Sequence, residues 1–188
     1  MTEPLRLSLV TEPTELPVTL GEAKLHARID EDADNAAVMG FIKAARELAE
    51  TYTRKAFVTQ TWQMFLDDFP ACSEIELPRP PLSSVTHVKA YDDADAATVF
   101  ASSNYFVDTA TQPGRLVLRD AASWPDAERV ANAVEVQFIA GTTVDLVPQA
   151  IKQGIFNLVA WLYEHRGDGM EPPDACYAPL VGERIWLV

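Results

Sequence analysis

The side chains that could do acid–base or metal chemistry are spaced wrongly for it. His26, His87 and His165 fall on three separate stretches, and none has a Cys, His or carboxylate at metal-ligand spacing. His165, at the end of a helical pattern, reads as a cation placed against a helix C-terminus. Asp30, Asp32 and Asp34 begin like a calcium loop. Asn35 then stands where such a loop needs glycine, and Phe41 where it needs glutamate. Asp92, Asp93 and Asp95 fail in the same way, so both runs read as solvated turns. Asp67 and Asp68 are adjacent on a strand-like stretch and point to opposite faces, which argues against a shared carboxylate site. Ser83-Ser84 and Ser102-Ser103 have no base nearby, and the glycines are too scattered for a phosphate loop or nucleophile elbow. Cys72 and Cys176 lack the cationic neighbours of a reactive thiol. No local motif supports catalysis, and no metal or cofactor is expected. A site built from distant residues would leave no such trace.

The elements that would position any site come from a chain of 188 residues, enough for one ordinary domain with an insertion. A hydrophobic share of 48% and a mean hydropathy of -0.04 fit a globular fold. The net charge of -13 repels phosphate and argues against sequence-reading nucleic-acid binding, although an acidic face suits a conduit along which DNA slides. Two cysteines argue against a disulfide framework and point to a reducing compartment. Met1-Thr2-Glu3-Pro4 lacks the basic and apolar regions of a signal peptide, and Ile155 to Tyr163 is too short to span a bilayer. A cytoplasmic product with no membrane partner is expected.

Residues 1–17, with three prolines, read as an extended arm. Thr19-Leu20-Gly21-Glu22 is a capping box that predicts a helix over 19–28. Asp34 is placed to cap a second helix over 35–54. There Val38, Phe41, Ile42, Ala45, Leu48, Ala49 and Tyr52 recur at spacings of three and four. Short strands are expected at 59–66, 74–77, 85–91, 105–107, 115–118 and 134–139, with turns at Asp92–Asp95 and Gln112-Pro113-Gly114. Trp62 and Trp124 read as core or turn packing. Arg79-Pro80-Pro81 reads as a rigid corner, or else a loop at a subunit boundary. A third helix over 148–165 carries the stripe Ile151, Ile155, Leu158, Leu162. Residues 168–188 read as a Pro-rich tail closing on Ile185-Trp186-Leu187-Val188, an apolar group that must pack on its own domain or on a partner. The predicted fold is α+β: a small helical bundle from the N-terminal helices and the C-terminal helix, an inserted antiparallel β-rich region at about 59–140, and extended termini around a domain of 18–166.

Taken in order, several stretches resemble one family. They are Leu20 to Asp30, Ala44 to Thr53, Gln60-Thr61-Trp62, Leu66 to Pro70 and Leu77 to Val85. After them come Tyr105 to Asp108, Pro113 to Leu116, Trp124-Pro125, Phe138 to Gly141 and Val147 to Lys152. Together they resemble the head–tail connector, or adaptor, family of long-tailed phages and gene-transfer agents. Arg54 stands where that family often has a glycine. The resemblance implies a structural, non-enzymatic subunit of a ring, commonly of twelve. Such a ring sits under the portal protein, extends the DNA channel with passive contact to DNA, and meets a stopper or tail-completion protein. It implies assembly in the host cytoplasm and residence in the neck of a phage or gene-transfer-agent particle. Arg184, Ile185, Trp186, Leu187 and Val188 are then the expected contacts to portal or neighbour, and Asp92, Asp93 and Asp95 the candidate lumen-facing acids. The rival readings are a stopper or tail-completion protein, and a small enzyme with a non-local site.

Overall fold

The computed structural model describes residues 6–185. The chain divides into two compact units, one formed by Glu15–Val58 with the chain from Thr142 onward, the other by the chain up to Thr14 with Thr59–Gly141.

The first unit is helical. Helix α1, Leu20–Ala27, starts on the expected capping box: the Glu22 N–H donates to Thr19 Oγ1 at 3.2 Å, and the Thr19 N–H donates to Glu22 Oε2 at 2.8 Å. It ends at Arg28 in the left-handed region. Helix α2 spans Asn35–Thr53. Asp34 sits at its N-cap but does not cap it. Its carboxylate instead accepts from the Tyr163 hydroxyl at 2.6 Å. Helix α3, Gln149–Glu164, follows Pro148, and the short helix α4, Asp174–Tyr177, runs into a 3-10 turn at Ala178–Glu183. The predicted stripes meet in one core containing Val38, Ile42, Ala45 and Ala49 of α2 with Ile151, Ile155, Leu158 and Val159 of α3. Leu180 from the tail joins them.

The second unit holds two antiparallel sheets. Strands β1 (Arg6–Thr11), β2 (Gln60–Leu66), β8 (Val134–Ala140), β4 (Leu82–Tyr91) and β5 (Ala97–Phe100) lie in that order in a five-stranded sheet. Strands β3 (Glu74–Leu77), β7 (Gly114–Leu118) and β6 (Tyr105–Asp108) form a three-stranded one. Alternation sets the buried face: Trp62 and Met64, Val134, Val136 and Phe138, Val88 and Ala90 are all buried. The two sheets approach closely at Gly114, where a Cβ would stand 2.5 Å from the Cβ of Leu82.

The α+β class and the helical bundle with a β-rich insertion are as predicted from sequence. The termini differ in detail. Within the expected arm, Arg6–Thr11 is an edge strand paired to β2. Its pattern is obscured because nearly every residue is exposed, so no buried face imposes alternation. Strand β5 was hidden for the same reason.

Candidate partner-contact surface

The tail expected to reach outward is instead strapped to the helical unit as far as Ile185. Leu180, with no exposed surface, sits directly over Gly154 of α3, where a Cβ would lie 2.5 Å from Leu180 Cδ2. Only glycine leaves room for the leucine. The Tyr177 ring stacks on Tyr52 of α2 with centroids 4.8 Å apart. Lys55 Nζ meets Glu183 Oε2 at 2.8 Å, and the Arg184 guanidinium lies over the Tyr52 ring at 5.1 Å. The Ile185 N–H donates to Thr53 O at 3.0 Å. Of the five residues expected to contact a partner, Arg184 and Ile185 therefore rest on α2 of their own unit. Trp186, Leu187 and Val188 lie outside the described residues. The strap was hidden because its anchors, Tyr177 and Leu180, lack helical or strand periodicity.

The root of this strap is basic. Arg54 closes α2 at φ 60, in the left-handed conformation that glycine takes without strain, and its side chain is exposed. The glycine common in the resembled family would serve the same turn, so the arginine adds charge. Lys55 and Arg184 are beside it in the structure just described. Deeper in α2, Arg46 is buried, with its guanidinium 3.1 Å from Glu47 and 3.8 Å from Glu50. Glu50 in turn accepts the Phe57 N–H at 2.8 Å, fixing the chain as it leaves the helix.

The acids proposed for a lumen build a turn. Asp92 Oδ1 accepts from the N–H groups of Ala94 (3.0 Å) and Ala96 (2.8 Å). Asp95 adopts φ 62 and lies 3.5 Å from the Arg129 guanidinium. Asp93 is exposed.

A buried carboxylate that sequence reasoning missed lies on β8. Glu135 accepts from the Tyr91 hydroxyl at 2.6 Å and from Lys89 Nζ at 3.1 Å, and pairs with His87 Nε2 at 2.7 Å. Burial pushes its pKa up. The hydrogen bonds from Tyr91, His87 and Lys89 outweigh that and hold it down at about 2. The available signal was the alternation His87, Lys89, Tyr91, which puts three polar side chains on one face of β4. This cluster is saturated by its own partners and serves the sheet. His26 stacks on Phe156 at 5.2 Å, and His165 Nδ1 lies 3.0 Å from Trp161 O, the helix-end position expected for it. Among the described residues no group of three or more His, Cys, Asp or Glu side chains could hold a metal ion. No helix there is long and apolar enough to cross a membrane.

Residues 17–97, from the approach to α1 through β4, match the family model of phage gp6-like head–tail connector proteins. Over these residues the chain resembles the head–tail connector family. Solved structures extend this likeness along nearly the whole chain. It superposes on a chain from the neck of an empty gene transfer agent (GTA) particle, computed with C6 symmetry, with a TM-score of 0.81 at 25% identity. That match covers 97% of this chain and 96% of the other. A chain from the virion of a native GTA particle gives the same score and identity, covering 97% of each. A chain from the neck of a native GTA particle, computed with C12 symmetry, scores 0.79 at 26% identity and covers 97% and 96%. Among curated proteins none matches. The chain is thus similar to virion structural proteins of the phage and GTA kind.

Proposed function

We propose that this chain is the adaptor subunit of a particle neck and not a catalyst. Twelve copies close a ring under the portal, extend the DNA channel and present a surface to the next connector or tail protein. The observation that carries this reading is the full-length likeness to chains of GTA necks, particles to which C6 and C12 symmetry were applied. A ring of this kind joins two different faces of each subunit by rotation. The surplus of negative charge favours DNA that slides over sticking, with Asp93 and Asp95 the exposed acids of the Asp92–Asp95 turn. Residues Arg184 to Val188 supply the contact to the portal, the apolar Trp-Leu-Val group being the kind of anchor that dominates interface energies. Assembly takes place in the host cytoplasm before the particle is complete.

The test is native mass spectrometry with negative-stain imaging, on the protein alone and after adding the portal ring of the same particle. A ring, free or formed on the portal, is the expected result and gives the copy number. A protein that stays monomeric beside the portal would overturn the reading.

A further inference from the structure

We infer that the two free edges of the five-stranded sheet, β1 and β5, pair with each other between neighbouring copies of this chain, so that strand addition joins subunit to subunit. This rests on the adaptor reading, in which copies close a ring, and it adds which stretches of backbone make the contact.

The first ground is that neither edge is guarded. In the sheet order β1-β2-β8-β4-β5, each end strand pairs with one neighbour, and no other described strand lies beyond it. An outer row of N–H and C=O groups is a template for another strand, which most proteins blunt with charge, proline or a covering segment. Leu7 to Thr11 and Ala97 to Phe100 contain neither a charged residue nor a proline, in a chain that is 23% charged. Arg6, the one charge on β1, is paired with Asp67. Apolar side chains stand open on both strands: Val10 is 47% and Val99 61% exposed. The direction of the free groups on β5 follows from its turn. The Asp92 N–H donates to Ala96 O at 3.1 Å, while the Tyr91 N–H turns the other way, to Ala133 O at 2.8 Å. Ladder bonds alternate along a strand, so the N–H and C=O groups of Ala97 and Val99 point off the sheet.

The second ground is fit. A bulge between Leu9 and Thr11 leaves four regular residues at the start of β1, Arg6 to Leu9, and β5 is four residues long. Four antiparallel steps separate the two strands, so β1 and β5 run in the same direction. A neighbour turned about an axis along the strands therefore brings its β1 beside β5 in parallel and continues the sheet. Such a contact uses a different face on each side and repeats until the ring closes. Cyclic symmetry, as applied to the GTA necks that hold chains of this fold, is what a head-to-tail contact produces. A two-fold dimer, by contrast, joins β1 to β1 or β5 to β5 and leaves the other edge of each copy open.

The experiment is cross-linking of the chain assembled with the portal ring of the same particle. The native thiols are removed by Cys72→Ser and Cys176→Ala, and either Ser8→Cys or Thr98→Cys is added, both at exposed positions. Equal amounts of the two chains are mixed, assembled and treated with a short bismaleimide, since paired strands lie about 5 Å apart. Links between positions 8 and 98 are expected to exceed links of 8 to 8 and of 98 to 98 at least about tenfold, because only the head-to-tail contact brings β1 beside β5. Separately, Val99→Pro is compared with the parent; it removes an N–H that β4 does not use. It is expected to keep the parent's circular dichroism and to need at least about tenfold more protein for half-assembly, the weight of a lost backbone hydrogen bond. The cross-links decide alone should Val99→Pro fail to fold. A parent that stays monomeric beside the portal overturns the adaptor reading and this inference with it. A parent ring in which 8-to-98 links are absent or outnumbered by 8-to-8 links, or in which folded Val99→Pro assembles like the parent, overturns the edge pairing and leaves the adaptor reading standing.

Discussion

The contact of Leu180 with Gly154 makes a prediction whose sign depends on background. In a helix interior, replacing glycine by alanine normally stabilises by about 1 kcal/mol. At position 154 the new methyl would lie 2.5 Å from Leu180 Cδ2 and 2.6 Å from Leu180 Cγ, distances that force the leucine out of place. Overpacking of this kind costs about 1–3 kcal/mol. Gly154→Ala alone should therefore destabilise the helical unit by up to about 2 kcal/mol. Leu180→Ala removes a side chain with no exposed surface and should cost about 2–5 kcal/mol through lost transfer and the cavity left behind. In that background the methyl at 154 has room and partly fills the space. The same Gly154→Ala change should then stabilise by about 1 kcal/mol, from helix propensity. The coupling between the two positions is thus about 1–3 kcal/mol. The assay is urea unfolding followed by circular dichroism at 222 nm. All four α-helices among the described residues belong to this unit, so that signal reports on it. An equal effect of Gly154→Ala in both backgrounds, or stabilisation of the parent, would refute the packing argument.

Two further changes probe the local chemistry. Glu135 is held at about 2 in the fold, below the 4.5 of a free glutamate. Its contribution is complete above pH 4.5 and is lost as the pH falls toward 2, a loss of about 3 kcal/mol. Urea unfolding at pH 5 and pH 2 should show this acid sensitivity in the parent and a shallower one in Glu135→Gln; identical slopes would contradict it. Thr19→Ala removes the acceptor of the Glu22 N–H and should cost about 1 kcal/mol. The loss should appear as faster amide exchange in the first turn of α1, with α3 protected as before.

The helices were legible because their burial is one-sided. Val38, Ile42, Ala45 and Ala49 face one core, and a buried stripe on a helix repeats at a period the sequence must carry. The six predicted strands were legible for the matching reason, since Val134, Val136 and Phe138 alternate with Glu135 and Gln137. Legibility failed where burial stops dictating a period. Strands β1 and β5 are exposed edges held by backbone hydrogen bonds, which any residue can make. The strap is held by single side chains, Tyr177 and Leu180, each meeting a partner far away in sequence. Asp34 misled for a third reason. Its type and place suit a cap, but Tyr163 offered a hydroxyl that only the folded chain brings near. The basic character of the tail's root was not legible either. Arg54, Lys55 and Arg184 are neighbours only after residue 185 returns to Thr53.

The joint between bundle and insertion explains why one helical core survives an interruption of its sequence. The chain leaves the helical unit after Val58 and re-enters at Thr142, and these two residues form a parallel bridge. The Thr142 N–H donates to Phe57 O at 3.2 Å, and Phe57 is itself fixed by Glu50 at 2.8 Å. Exit and entry are thus tied side by side to the end of α2. To the helices, the whole β-rich excursion is then equivalent to a short loop between α2 and α3. An insertion anchored in this way costs the host core little loop-closure entropy, because entropy rises only with the logarithm of loop length. The same end of α2 also holds the strap through Thr53 and Tyr52. That single turn of helix therefore holds both the paired chain ends at Val58 and Thr142 and the strap, and substitutions that loosen it should disturb both together.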